Sequence, residues 1–139
     1  MKITKLGLAL ALAGVVSLGA ASNLDVQATE DKPKAEVKSL HEGALTVVDG
    51  KSVDIKHITL PPGSVIGKHF HTGDVFVYVL EGEVTVVMEN ETVTLPAGSI
   101  FQEGPDVVMR AKNLSTSVTA KVVVFQVGDT GKPTSVKVE

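Results

Sequence analysis

Residues 63–82 read GSVIGKHFHTGDVFVYVLEG, and they decide the fold. Two histidines, His69 and His71, stand one residue apart, and Val75 to Leu80 is an almost unbroken apolar run that stops at Glu81-Gly82. Successive side chains of an extended strand point to opposite faces, so residues two apart share a face. His69 and His71 therefore project the same way, and two imidazoles on one strand face can ligate one metal ion. In the next strand Val75 and Val77 share one face, and Phe76, Tyr78 and Leu80 share the other.

On both sides of this stretch the chain alternates short strands with breakers. Ala44 to Val48 and Lys51 to Leu60 flank Asp49-Gly50, a hairpin signal. Pro61-Pro62-Gly63 ends the second of these, and Ser64 to His71 carries the histidines. Thr72-Gly73-Asp74, Glu81-Gly82, Glu89-Asn90, Pro96-Ala97-Gly98 and Gly104-Pro105-Asp106 punctuate the middle of the chain. The strands between them are Val75 to Leu80, Glu83 to Met88, Glu91 to Leu95, Ser99 to Glu103 and Val107 to Lys112. Ser117 to Val127 is a long Val-rich strand, and Thr134 to Val138 adds a last one. About ten short strands with no amphipathic helix among them predict an all-β sandwich or barrel. With 43% hydrophobic but only 4% aromatic residues, its core must be aliphatic.

The N-terminus reads as an export signal. Met1 to Lys5 is short and basic, Leu6 to Leu18 is apolar, and small residues come next, giving cleavage after Ala21 or after Ala28. The apolar run is shorter than the roughly 20 residues that span a bilayer comfortably. The reading is therefore a periplasmic or secreted protein with no stable membrane anchor after cleavage. Residues 29–43 form a polar lead-in with a first strand at Val37 to Leu40, and residues 44–139 form one barrel domain. A net charge of -3 without a basic patch excludes a nucleic-acid surface. The absence of cysteine excludes disulfides, thiolate ligands and a Cys nucleophile.

The central stretch resembles the first signature of the cupin family: Gly, five residues, His, one residue, His, three or four residues, Glu, six residues, Gly. Gly63, His69, His71 and Gly82 fall in register, while Val75 stands where the family carries its acidic ligand. Asp74 is acidic but one position early, and a one-residue step turns a side chain to the opposite face. The stretch 98–113, GSIFQEGPDVVMRAKN, is similar to the family's second signature. In that frame Gly104 stands at its Pro, Asp106 at its second Gly, Met109 at its His and Asn113 at its Asn. The resemblance covers Lys51 to Val127. It implies a jelly-roll barrel around a ligand-holding interior, and a homodimer.

The family's usual metal set is three His and one Glu. Carried over by position, this chain supplies His69, His71, Val75 and Met109, with Asp74 as a further carboxylate if the turn is distorted. Three readings are open. In the first, His69, His71 and Met109 hold a transition-metal ion such as copper, zinc or nickel; the thioether softens the set toward copper. In the second, the barrel is a metal-free small-molecule site, with Val75, Val77 and Met109 as apolar wall and the histidines as polar handles. In the third, the protein is a metal-dependent dioxygenase or isomerase-type enzyme, for which two certain ligands are few. Fold alone does not choose among them. Of the remaining polar groups, His57 reads as a surface or subunit contact, His41 as exposed, and Glu103 as closing the pocket mouth or stabilising a turn. Asn90-Glu91-Thr92 and Asn113-Leu114-Ser115 match the short glycosylation acceptor pattern.

Overall fold

The structure, a computed structural model, describes residues 32–139. The export signal, both cleavage positions and residues 29–31 of the lead-in lie outside the described residues. All regular elements among the described residues are strands. They are β1 (Glu36–Ala44), β2 (Lys51–Leu60), β3 (Val65–His71), β4 (Asp74–Glu81) and β5 (Glu83–Met88), then β6 (Thr92–Pro96), β7 (Ile100–Glu103), β8 (Met109–Lys112), β9 (Ala120–Asp129) and β10 (Ser135–Lys137). They form two five-stranded antiparallel sheets, ordered β1-β2-β9-β4-β7 and β10-β3-β8-β5-β6.

The alternation read from the sequence is what closes these sheets on each other. In β4 burial switches at every residue from Asp74 to Leu80, with Val75, Val77 and Val79 inside and Phe76, Tyr78 and Leu80 outside. The inner valines join Leu60, Ala120 and Val122 of the same sheet, and Val84, Val86, Leu95 and Met109 of the other, in one core. This core is aliphatic throughout, as the scarcity of aromatics requires. The outer face of the first sheet leaves Phe76, Tyr78, Ile100 and Phe125 exposed.

β8 and β9 begin later than the sequence reading has them, at Met109 rather than Val107 and at Ala120 rather than Ser117, and the largest differences fall at the N-terminal hairpin. The strand expected over Val37 to Leu40 extends to Ala44 and pairs along its length with β2, so most of the lead-in is sheet. The hairpin loop is correspondingly longer: residues 45–50 are loop rather than strand up to Val48. Backbone pairing explains this, because β2 spans ten residues and β9 covers only one of its edges.

A β-bulge shapes the histidine strand. Ile66 pairs with Ala111 and His69 with Met109, so β3 carries one residue more than β8 over this interval. The extra residue re-aims the strand. Ile66 and His69 both line the interior although they are an odd number apart, and His71 lines it with them. Simple alternation places the two histidines together but not Ile66 with them.

Candidate functional site

Inner-facing residues of the first sheet form rows across the strands. The first row runs Asp54, Gln126, Val75, Glu103 through direct register pairs; the next runs Lys56, Val124, Val77, Phe101; a third runs Ile58, Val122, Val79. The row nearest the histidines is polar except at Val75, the second holds one ammonium, and the third is aliphatic. Gln126 and Glu103 of the first row, Lys56, Val124 and Val77 of the second, and Ile58 and Val122 of the third line a cavity of about 470 Å³ between the two sheets. This is the usual size of a small-molecule site.

His69 and His71 stand at the polar end, ring centroids 4.9 Å apart and nearly perpendicular. Nδ1 of His69 lies 2.8 Å from the Gly67 carbonyl in the bulge, and Nδ1 of His71 lies 3.1 Å from the Thr134 carbonyl. A carbonyl only accepts, so both Nδ1 atoms carry the proton and donate it. That fixes the neutral tautomer of His69 and leaves its Nε2 for other chemistry, and it turns Nε2 of His71 toward Glu103. Nε2 of His71 is 3.1 Å from Oε2 of Glu103, a side chain only 7% exposed. The Thr134 carbonyl also accepts 2.6 Å from Nε2 of Gln126, and the Thr134 hydroxyl accepts 2.9 Å from Lys56 Nζ. Thr134, just before β10, thus ties together one inner polar group from each of β2, β3 and β9: Lys56, His71 and Gln126.

Two effects compete at His71. Burial is the larger single influence and favours the neutral ring. The hydrogen bond and negative charge of Glu103, together with the Thr134 carbonyl and Gln126, outweigh it and hold the imidazole pKa above its ordinary 6.5. A folded pKa above the unfolded one means the folded state binds this proton more tightly. The associated stability is fully present below about pH 6.5 and is lost as pH rises through the higher folded value. Metal-free protein is expected to lose stability in urea as pH climbs from 6.5 through the raised folded value. Glu103→Gln is expected to flatten that slope. A slope unchanged by the substitution would remove Glu103 as its cause.

The polar row, the bulged His-x-His strand and the largely apolar cavity between the sheets together match a known pattern. A family model described as "Cupin domain" matches residues 56–126, just over half of the chain. The chain belongs to the cupin family. Solved structures with the same fold include a cupin-like protein of Thermotoga maritima (16% identity, 75% of each chain covered, TM-score 0.60). An RmlC-like cupin family protein with a double-stranded β-helix fold from Methanocaldococcus jannaschii is 23% identical, with 72% of this chain and 85% of that one covered and a TM-score of 0.58. A cupin domain of Bordetella pertussis is 20% identical, with 69% and 95% covered and a TM-score of 0.56. No curated protein matches. At these identities the structures speak for the jelly-roll fold alone.

Within this cupin the residues expected at the site separate. His69, His71, Met109 and Val77 line the cavity. Met109 pairs with His69 in register, is 2% exposed and belongs to the hydrophobic core. Val75 is fully buried in the core, in register with both Glu103 and Gln126, and does not line the cavity. Asp74 is exposed on the opposite face, where it accepts a 3.3 Å hydrogen bond from Gln102, and so is not brought to the histidines. His57 is half-buried and His41 exposed; neither lines the cavity.

Sequence reasoning missed Gln126, Lys56 and Thr134, and it placed Glu103 no nearer than the pocket mouth. Two had a readable signal. Gln126 is the polar interruption in the inward series Val122, Val124, and Lys56 stands in phase with Ile58 and Leu60. Thr134 sits in a loop, where alternation says nothing. Asp106, at the family's second Gly, adopts a left-handed backbone with φ of 63°. Aspartate tolerates that conformation better than most side chains. Its backbone N–H donates to the His71 carbonyl at 2.9 Å, tying this turn to the histidine strand.

Proposed function

We propose that this cupin binds a divalent transition-metal ion, zinc or nickel, through His69, His71 and Glu103 at the polar end of its cavity, beside space for a small ligand. The observation that carries the reading is the orientation of the imidazoles. Metal-ligating histidines usually fix one ring nitrogen on a carbonyl or carboxylate and present the other to the ion. Both histidines here use Nδ1 in that way, and a carboxylate lies beside Nε2 of His71. Glu103 stands one strand over from Val75 on the same inner row, and so returns an acidic group to the region where the family's signature has one.

Among the described residues no three His, Asp or Glu side chains close on one point. The donor set fits an ion in kind, held as a pair with a third group nearby. Two imidazoles and a carboxylate are harder than two imidazoles and a thioether, which moves the preference away from Cu(I). Met109 is left to packing. When bound, the ion supplies a positive centre at which an anionic ligand group is stabilised. The protein's own part is to fix both ring tautomers and to hold the carboxylate beside His71. Catalysis is not part of the proposal.

Metal content and calorimetric affinity of the purified protein test it. His69→Ala is expected to weaken zinc or nickel by about 100-fold, Glu103→Gln by about tenfold or more, and Met109→Leu by less than about threefold. Weakening by Met109→Leu as large as that by His69→Ala would restore the thioether as a ligand. No binding of zinc or nickel above background would overturn the metal site. His71 and Glu103 would then be an ion pair at the head of a metal-free cavity.

A further inference from the structure

The cavity differs in charge from the molecule that contains it. The chain carries a net -3. Yet the cavity is lined by three lysines, Lys56, Lys68 and Lys137, and by a single carboxylate, Glu103, which His71 already engages. Lys68 on β3 and Lys137 on β10 are exposed, at the sheet edge next to the histidines. Lys56 reaches the cavity from β2 in the other sheet. Beyond these groups, Gln126, Thr134 and Ser135 add polar atoms near the histidine end, and the rest of the wall is apolar.

Lys56 is the informative residue. It stands on the inner face of a central sheet strand, a position that ordinarily takes an apolar side chain. It is held there by Asp54 Oδ2 at 2.6 Å and by the Thr134 hydroxyl at 2.9 Å. An ammonium has three N–H donors. The third has no protein acceptor among the described residues. A positioned, partly desolvated ammonium with a free donor, facing an aliphatic wall, suits a ligand with one anionic head and an apolar body. Sugars and other polyols fit poorly, because each hydroxyl against the valine wall would lose its hydrogen bonds to water. A cationic organic head group would meet Lys68 and Lys137, which have no ion-pair partner among the described residues, whereas Lys56 is paired with Asp54.

We infer that the cavity takes an aliphatic monocarboxylic acid, with its carboxylate held between Lys56 and the histidine end and its chain among the valines. This rests on reading the polar end as the head-group end, and it holds with or without a metal ion there.

Calorimetric titration of the protein with sodium octanoate, 1-octanol and octylammonium chloride, in metal-free and zinc-loaded forms, tests it. Octanoate is expected to bind at least about tenfold more tightly than octanol, with octylammonium weakest. Lys56→Met should cost octanoate about tenfold and leave octanol unchanged within about twofold. Should that variant fail to fold, the exposed pair Lys68→Gln and Lys137→Gln provides the same comparison. It should weaken octanoate alone by about threefold and reduce the salt dependence of its binding. Ala111→Phe, which fills the cavity, should weaken octanoate and octanol together. Octanol or octylammonium binding as tightly as octanoate would overturn the anionic head. The absence of binding by all three would overturn the ligand class. Zinc affinity measured on the same samples keeps the two readings apart: protein that binds zinc but none of the three probes loses this inference and retains the metal site.

Discussion

Val75→Glu is expected to produce a protein that is badly destabilised without metal and largely rescued by it. Val75 is fully buried, and its register partners on either side are Glu103 and Gln126. A second carboxylate there shares a water-poor site with the first, and the two cannot both ionise cheaply. An uncompensated buried charge costs about 3–5 kcal/mol. That lowers the melting temperature by roughly 4 °C or more per kcal/mol in a domain of this size. A divalent ion bound by His69, His71 and both carboxylates would reverse the sign, since repulsion between the acids becomes shared attraction to the cation. Zinc affinity is expected to rise at least about tenfold over wild type, and excess zinc should recover most of the lost stability through mass action. Val75→Gln separates charge from size: it should destabilise less and gain no comparable zinc affinity. Melts and titrations of the three proteins in chelator and in zinc decide the matter. A destabilised Val75→Glu protein that zinc neither binds nor rescues would mean that Val75 and Glu103 do not face a metal position.

That substitution also shows what was legible in the sequence and what was not. The fold was legible because its cause is local and periodic. Alternation in Val75 to Leu80 states which side chains are inside, and Gly82, with φ of 70°, ends the strand where a left-handed turn is needed. His69 and His71 were legible for the same reason. Glu103 as partner of His71 was not, because they are 32 residues apart in a chain whose strand order only the sheets reveal. Reading the site by signature position places an alkyl group where the acid belongs. The structure shows that the neighbouring strand carries a carboxylate on the same row, and register between strands is long-range information that no local pattern contains. The bulge in β3 is the intermediate case. Gly67 suggests an irregularity, but only pairing with β8 shows that one extra residue brings Ile66 to the same interior as His69.

Asn113, which stands at the second signature's Asn, is expected to be among the most costly polar positions to change. It is 2% exposed, and every polar atom of its side chain is used. Nδ2 donates to the carbonyls of Leu60 at 2.9 Å and Val118 at 2.8 Å, and Oδ1 accepts from the Ser115 N–H at 3.0 Å. One amide thereby joins the end of β2 to the loop that leads into β9. An amide engaged in this way is not free to carry a sugar in the folded protein. Asn113→Ala strands two carbonyls and one N–H. Leaving such groups unpaired costs about 1–3 kcal/mol each, and water entering the loop recovers part of it, so a loss of roughly 3–4 kcal/mol in urea unfolding is expected. Asn113→Asp keeps the acceptor for Ser115 but sets a carboxylate against two carbonyl oxygens. Burial and those oxygens raise its pKa in the folded state, so the penalty is largest at neutral pH and shrinks as pH falls through the raised value and the acid gains a donor proton. Asn113→Ala has no such group and should show no comparable recovery toward acid pH. A loss below about 1 kcal/mol for Asn113→Ala would mean that solvent replaces the amide freely and that the loop is not held by it.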